Sequence, residues 1–228
     1  MDFTNVKPTL YANADEKYQR FSSALVPNSG TMLGVRIPVL QKLAKTLAAG
    51  EYETYFAHAS DDTFEEIMLQ GLVICFLKTD LDEIFERLRS YIPKITNWSQ
   101  CDGVAQSLKC AKKHLPEFRA FLQPYLSSER EFEVRFAVVM LLSHFVNEEH
   151  LKDCFYVFDS VTHGGYYVKM AVAWAVQKCF WKFPEQTMDY LKKNNLDDET
   201  FHTALRKITE SRATPPDIKK KIQAMKNR

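Results

Sequence analysis

Apolar positions recur along this chain at three- and four-residue intervals almost without interruption, the spacing that lays one stripe along an α-helix. The pattern predicts an opening helix over 15–25, broken by Val26-Pro27-Asn28-Ser29-Gly30. Pro38, at an early helical position, starts a second over 39–49, which Gly50 closes. The acidic turn Asp61-Asp62-Thr63-Phe64-Glu65-Glu66 has capping-box spacing and leads into a buried helix ending near Lys78. A helix over 81–95 follows, its last turn disturbed by Pro93. Further helices are predicted over 98–113, 116–126, 128–145, 149–160, 165–183, 184–193, 198–211 and 215–226. No segment alternates apolar and polar residues at the period of a strand.

The strongly apolar helices recur. Taking Glu66, Gly103, Val134, Val168 and Ala204 as anchors gives separations of 37, 31, 34 and 36 residues. A longer apolar helix paired with a shorter amphipathic one at this interval is the signature of a HEAT-like solenoid of antiparallel helix pairs. The expected fold class is therefore all-α, with the longer helices lining a concave face. The chain reads as one domain over 1–228, with helices from about residue 13.

Composition narrows this picture. An apolar content of 46% supplies a full core, and only seven glycines argue against a turn-rich β fold. The longest apolar run, Leu72-Val73-Ile74-Cys75-Phe76-Leu77, is too short to span a bilayer. Met1 to Pro8 has no apolar segment of the signal-peptide kind, and the five cysteines fall inside helical patterns as reduced thiols. A cytoplasmic protein is expected, with no membrane partner. The net charge of +1 is unevenly spread: 1–96 sum to −3, 97–205 to −2, and the basic C-terminal segment 206–228 to +6. That segment reads either as a solvated tail helix or as a contact for an anionic polymer.

Three places put a charged residue among apolar ones, where burial is unfavourable unless the charge is paired or used. Trp98 and Asp102 lie four apart on one helix face. A carboxylate beside an aromatic plane suits a cationic centre, although a core indole and a first-turn carboxylate facing the helix dipole fit the same spacing. Arg135 sits inside a hydrophobic run. It either forms an ion pair with Asp102 or Glu133 or forks onto a phosphate. On the helix over 165–183, Val168, Ala171, Val172, Ala175, Val176 and Cys179 form a core stripe. Tyr167, Met170, Trp174, Lys178 and Trp181 form a second stripe turned away from it, flanked by Lys169. That second stripe is either sandwiched in the stack or an aromatic wall for a ligand. Cys110 and His114 lack a second ligand pair, so no metal is expected. Phosphate-loop, Walker and GxSxG motifs are missing from the sequence.

Four segments occur together and in order: Leu33-Gly34-Val35-Arg36-Ile37-Pro38-Val39-Leu40, Trp98-x-x-x-Asp102, Val134-Arg135-Phe136-Ala137-Val138, and Tyr166 through Trp174. The combination resembles the AlkD-like DNA alkylation repair family, over about residues 15–212. The resemblance implies a HEAT-like-repeat DNA glycosylase that releases cationic N3- and N7-alkylpurines from double-stranded DNA without flipping the base. It implies no cofactor and no metal. Under it, Trp98 and Trp174 match the aromatics that pack against the lesion's sugar, and Asp102 matches the carboxylate that stabilises the developing sugar cation. Arg135 matches a backbone-phosphate contact. Lys169, Lys178, Arg206 and Arg212 are the further cations expected to meet DNA. Active members carry an extra basic helix before the Gly-Val-Arg motif, whereas Leu25 to Met32 is too short to hold one. The chain thus resembles a divergent paralogue group. The alternative function is a non-catalytic repeat protein that binds DNA weakly or binds a protein partner. A capped solenoid need not self-associate, so a monomer is expected.

Overall fold

The computed structural model describes residues 3–225 and is all-α: 75% helical, with fourteen α-helices and, among the described residues, no strand. Met1 and Asp2 of the N-terminal reading, and Lys226, Asn227 and Arg228 of the basic segment, lie outside the described residues. Residues 1–111 and 112–228 form two compact units.

The first unit contains α1 (Val6–Ala12), α2 (Glu16–Leu25), α3 (Ile37–Ala48), α4 (Tyr52–His58), α5 (Phe64–Phe76), α6 (Leu81–Tyr91) and α7 (Trp98–Ser107). Helix α5 is buried nearly all round, so it needs neighbours on several sides: α3, α6 and α7 pack on it. Fully covered Leu69, Leu72 and Val73 each stabilise the fold by about 1.5–3 kcal/mol through removal from water. The expected capping box opens this helix. Thr63 Oγ1 accepts from the Glu66 N–H at 3.2 Å, and the Thr63 N–H donates to Glu66 Oε2 at 2.9 Å. Gly71 lets α7 and α6 approach closely, since a Cβ there would overlap Val104 and the Tyr91 ring.

Helical structure begins earlier than the expected residue 13. A 3-10 turn at Phe3–Asn5 runs into α1, whose Pro8 sits in the first turn, where its missing N–H has no intrahelical partner to lose. Helix α4 also lies outside the expected set. It is short and buries only Tyr55, so it leaves almost no periodic trace. Pro93 acts as expected: α6 stops at Tyr91, and a 3-10 turn at Ile92–Lys94 replaces its last turn.

Before α3, the chain crosses the N-terminal end of α5. Gly34 adopts φ +86°, and a Cβ there would overlap the Asp15 carbonyl oxygen. The buried Glu65 carboxylate accepts from three consecutive amides: Leu33 N at 2.9 Å, Gly34 N at 2.7 Å and Val35 N at 3.1 Å. The Leu-Gly-Val segment is thus held as a rigid strap over α5. Residues 26–36, where the extra basic helix would lie, carry no helix.

The second unit contains α8 (Leu115–Leu122), α9 (Glu131–Met140), α10 (Leu151–Ser160), α11 (Tyr166–Lys182), α12 (Pro184–Lys193), α13 (Asp198–Glu210) and α14 (Pro216–Ala224). Helix α11 packs against α9, α12 and α13, and α13 against α14. A π turn at Leu141–Phe145 continues α9. Glu131 Oε1 accepts from the Tyr167 N–H at 2.6 Å, and Arg135 Nη1 donates to the Tyr167 carbonyl at the same distance. Opposite charges on α9 therefore hold the N–H and the carbonyl of one residue in the first turn of α11. No helix of the described residues is long and apolar enough to cross a membrane.

Candidate functional site

Helix α7 supplies the first group of candidates. Asn97 caps it: the side-chain oxygen accepts from the Gln100 N–H at 3.0 Å, which fixes where the helix starts and makes Trp98 its first residue. Asp102 then falls one turn later on the same face. Trp98 is half-buried, and its indole Nε1–H donates to the Leu25 carbonyl at 3.2 Å, so the ring is pinned by the end of α2. Asp102 is 8% exposed. Behind it, Gly103 faces Met68 of α5 closely enough that a Cβ would sit 3.2 Å from the Met68 methyl carbon. The structure thus brings Trp98 and Asp102 together on one well-anchored helix.

In the second unit, Arg135 is 6% exposed. Its guanidinium binds the Tyr167 carbonyl and lies over the Tyr167 ring at 5.8 Å. Glu133, one of the partners expected for Arg135, is engaged by Arg130 at 3.1 Å and by the Ser128 hydroxyl at 2.7 Å. The two stripes of α11 differ as their spacing requires. Val168, Ala171, Val172, Ala175, Val176 and Cys179 are buried, Tyr167, Met170, Trp174 and Lys178 half-buried, and Trp181 exposed.

Lys169 is committed within the protein. Its ammonium lies 2.7 Å from Glu199 and 3.2 Å from Asp197, and the hydrogen bond to Glu199, then that to Asp197, raises its pKa. It fastens α11 to the start of α13, where Asp197 also caps the Thr200 N–H. Lys178 is the opposite case. Burial lowers its pKa first, and repulsion from Lys182 and Lys112 lowers it further. Lys207 behaves likewise: burial, then Arg206, with Arg135 adding to it and Glu210 opposing. Mutually repelling cations of this kind attract anions.

Lys112 and Lys182 thus neighbour Lys178, and Lys207 neighbours Arg206 and Arg135, although Lys112, Lys182 and Lys207 were not among the expected site residues. The i, i+4 spacing of Lys178 and Lys182 and the Arg206–Lys207 neighbours were visible signals, whereas nothing in the sequence pairs Lys112 with them. Arg206 is exposed on a groove between α11 and α13 with Tyr166, Met170, His202 and Thr203, and Arg212 is exposed just beyond α13. Another cavity of this unit lies between α12 and α14, lined by Phe180, Met188, Ile218 and Met225. Among the described residues, no group of three or more His, Cys, Asp or Glu side chains is arranged to hold a metal ion.

The family model for DNA alkylation repair enzymes matches residues 6–208. No curated protein matches the chain. The matched span runs from α1 into α13 and includes the Glu65-bound strap, the Trp98–Asp102 face, Arg135 and the aromatic stripe of α11. The chain belongs to the DNA alkylation repair enzyme family, and its role lies in the repair of alkylated DNA.

Proposed function

We propose that the protein is a monofunctional DNA glycosylase, built of HEAT-like repeats, that hydrolyses the N-glycosidic bond of cationic N3- and N7-alkylpurines without flipping the base. The observation that carries this reading is the Trp98–Asp102 face of α7, a carboxylate and an indole one turn apart on a helix whose start and whose tryptophan are both hydrogen-bonded in place.

The chemistry follows from the charge of the substrate. An alkylated purine is already positive, so when the C1′–N bond breaks the electron pair stays with the base, which leaves neutral. No general acid is needed. The sugar becomes oxocarbenium-like, and the Asp102 carboxylate stabilises that charge, as carboxylates do in glycoside hydrolysis. Water adds at C1′ and releases its proton, leaving an abasic site. Trp98 and Trp174 offer π-faces to the cationic sugar, and Arg135, Lys178, Arg206 and Arg212 carry the charge that meets phosphate.

Abasic-site formation in a duplex containing 7-methylguanine tests the proposal. Wild-type protein is expected to release the base, and Asp102→Asn to be slower by about 10²- to 10³-fold, the scale of losing one electrostatic stabiliser. Equal, background-level product from both proteins would remove the enzymatic claim.

A second reading, non-catalytic binding of DNA or a protein, is favoured by two observations: residues 26–36 carry no helix, and Lys169 is held by two carboxylates. The abasic-site assay separates catalysis from binding, and the salt dependence of binding to a short duplex separates a DNA partner from a protein one. Phosphate contacts make affinity fall steeply with salt, and a lesion-independent, salt-insensitive protein complex would favour the second reading.

A further inference from the structure

Between Trp98 and Asp102 in sequence, but on the opposite side of α7, lies Gln100. It is fully buried, and both its backbone groups and both polar atoms of its side chain are hydrogen-bonded. Its backbone N–H donates to Asn97 Oδ1 at 3.0 Å, and its carbonyl accepts from the Tyr91 hydroxyl at 3.1 Å. Its side-chain oxygen accepts from the Thr96 N–H at 3.3 Å, and its Nε2 donates to the Phe64 carbonyl at 3.4 Å. The partners fix the orientation of the amide: an N–H on one side and a carbonyl on the other exclude the flipped rotamer.

These bonds reach the rest of the unit through two short routes. The Phe64 N–H donates to the Thr31 carbonyl at 2.8 Å, and the next residue, Glu65, holds the amides of Leu33, Gly34 and Val35. The Thr96 hydroxyl lies 3.2 Å from the Asn28 carbonyl and 3.4 Å from Gln100 Oε1, within donating distance of each. Asn28 takes φ +56°, a left-handed conformation that presents this turn to Thr96. The segment from Leu25, the last residue of α2, to the strap therefore meets α7 directly at the Trp98 indole, meets Thr96 just before α7 through the Asn28 carbonyl, and reaches Gln100 indirectly, from Thr31 by way of Phe64.

We infer that Gln100 is a positioning residue, setting the rotation of α7 about its axis so that Trp98 and Asp102 present one fixed face, and tying that face to the strap before α3. An anchor opposite the working face is what a helix needs, because the caps alone fix where it starts and leave its roll to packing. A shift of about 1 Å at a reacting group costs on the order of 10²-fold in rate, so a partial loss of this anchor is expected to lower turnover by about tenfold. The inference rests on the glycosylase reading for its kinetic consequence and on geometry alone for its effect on Trp98.

The test uses Gln100→Met, which keeps length and apolar bulk but makes neither side-chain bond, and Gln100→Glu. The latter retains the acceptor end against Thr96 but turns an oxygen toward the Phe64 carbonyl. Release of 7-methylguanine by Gln100→Met is expected to show kcat lowered about tenfold with KM near wild type, the split produced when placement in the transition state is lost rather than binding. Gln100→Glu is expected to fall between it and wild type.

Independently, in a Trp174→Phe, Trp181→Phe background where Trp98 is the sole tryptophan, Gln100→Met is expected to raise the acrylamide quenching of its emission. Unchanged quenching in a folded variant overturns the inference whatever the activity, and so does an active protein whose kcat is not lowered. If the wild-type protein forms no abasic sites, the glycosylase reading fails and the quenching result alone decides the positioning role. Should Gln100→Met fail to fold, Thr96→Val, at an exposed position, carries the same two measurements, with smaller changes expected in the same direction and no change overturning the inference.

Discussion

Each compact unit uses a glutamate to fix backbone amides at or before the start of a helix, and the two do it differently. In the first unit, Glu65 spreads its carboxylate over three amides of the strap before α3. In the second, Glu131 takes the N–H of Tyr167 while Arg135 takes its carbonyl, so a cation and an anion on α9 grip one residue of α11. The first arrangement is a charge dissolved in backbone dipoles. The second is a pair of opposite charges bridged by the backbone of one residue. The contrast continues around each site. Trp98 and Gln100 are held by neutral hydrogen bonds, whereas Lys169 is held by two carboxylates, and Lys178 and Lys207 are shifted by burial and then by neighbouring cations. Under the glycosylase reading proposed above, the first unit would supply the reacting face and the second the contact with DNA.

Removing the two glutamates breaks the comparison most sharply. Glu65→Ala leaves three amides without their acceptor, each worth roughly 1–3 kcal/mol if it stays buried, so a loss of about 4 kcal/mol is expected in the unfolding free energy measured with urea. Glu131→Ala orphans one amide, and about 2 kcal/mol is expected by the same reasoning. Equal losses would show that the number of amides held does not set the stabilisation.

At the reacting face, Asp102→Asn is expected to abolish most base release while shifting the thermal midpoint little, since Asn keeps the volume and one acceptor oxygen. Trp174 tests the corresponding face of α11. It is half-buried, so Trp174→Ala is expected to cost less than the roughly 3–5 kcal/mol typical of a core tryptophan, with a larger proportional loss in base release. A destabilisation in the full core range would make Trp174 a packing residue.

The smallest expected effect is on pH dependence. Burial works to raise Asp197, but two hydrogen bonds from Thr200 and the Lys169 ammonium outweigh it, and its pKa falls below the ordinary 3.8. A carboxylate lowered in the folded state binds its proton more weakly than in the unfolded chain. Its contribution is therefore complete above the ordinary value and is lost as pH falls through the lowered one. Lys169, raised above 10.5, has the mirror behaviour: its contribution is present below that value and lost as pH climbs through the raised one. Thermal midpoints of Asp197→Asn and wild type are expected to differ at neutral pH and to converge in acid. Added salt should narrow the neutral-pH difference, because Glu199 and Asp197 are largely exposed. A salt-independent gap would mean that the Lys169 cluster is screened from solvent.

The sequence by itself determined twelve of the fourteen described α-helices, most of their ends, the capping box at Thr63, the buried and half-buried stripes of α11, and the shared face of Trp98 and Asp102. All of these depend on neighbours within about one helical turn, which the order of residues encodes directly. It did not show α1 or α4, whose short apolar faces leave little periodicity. Nor did it show which groups hold the site. Glu65 reaches amides some thirty residues earlier, Arg135 the carbonyl of Tyr167, Lys169 the carboxylates of Asp197 and Glu199, and Gln100 the carbonyl of Phe64. A polar side chain in an apolar helix announces that it must be satisfied, but its partner is chosen by which helices pack together, and only the tertiary structure decides that.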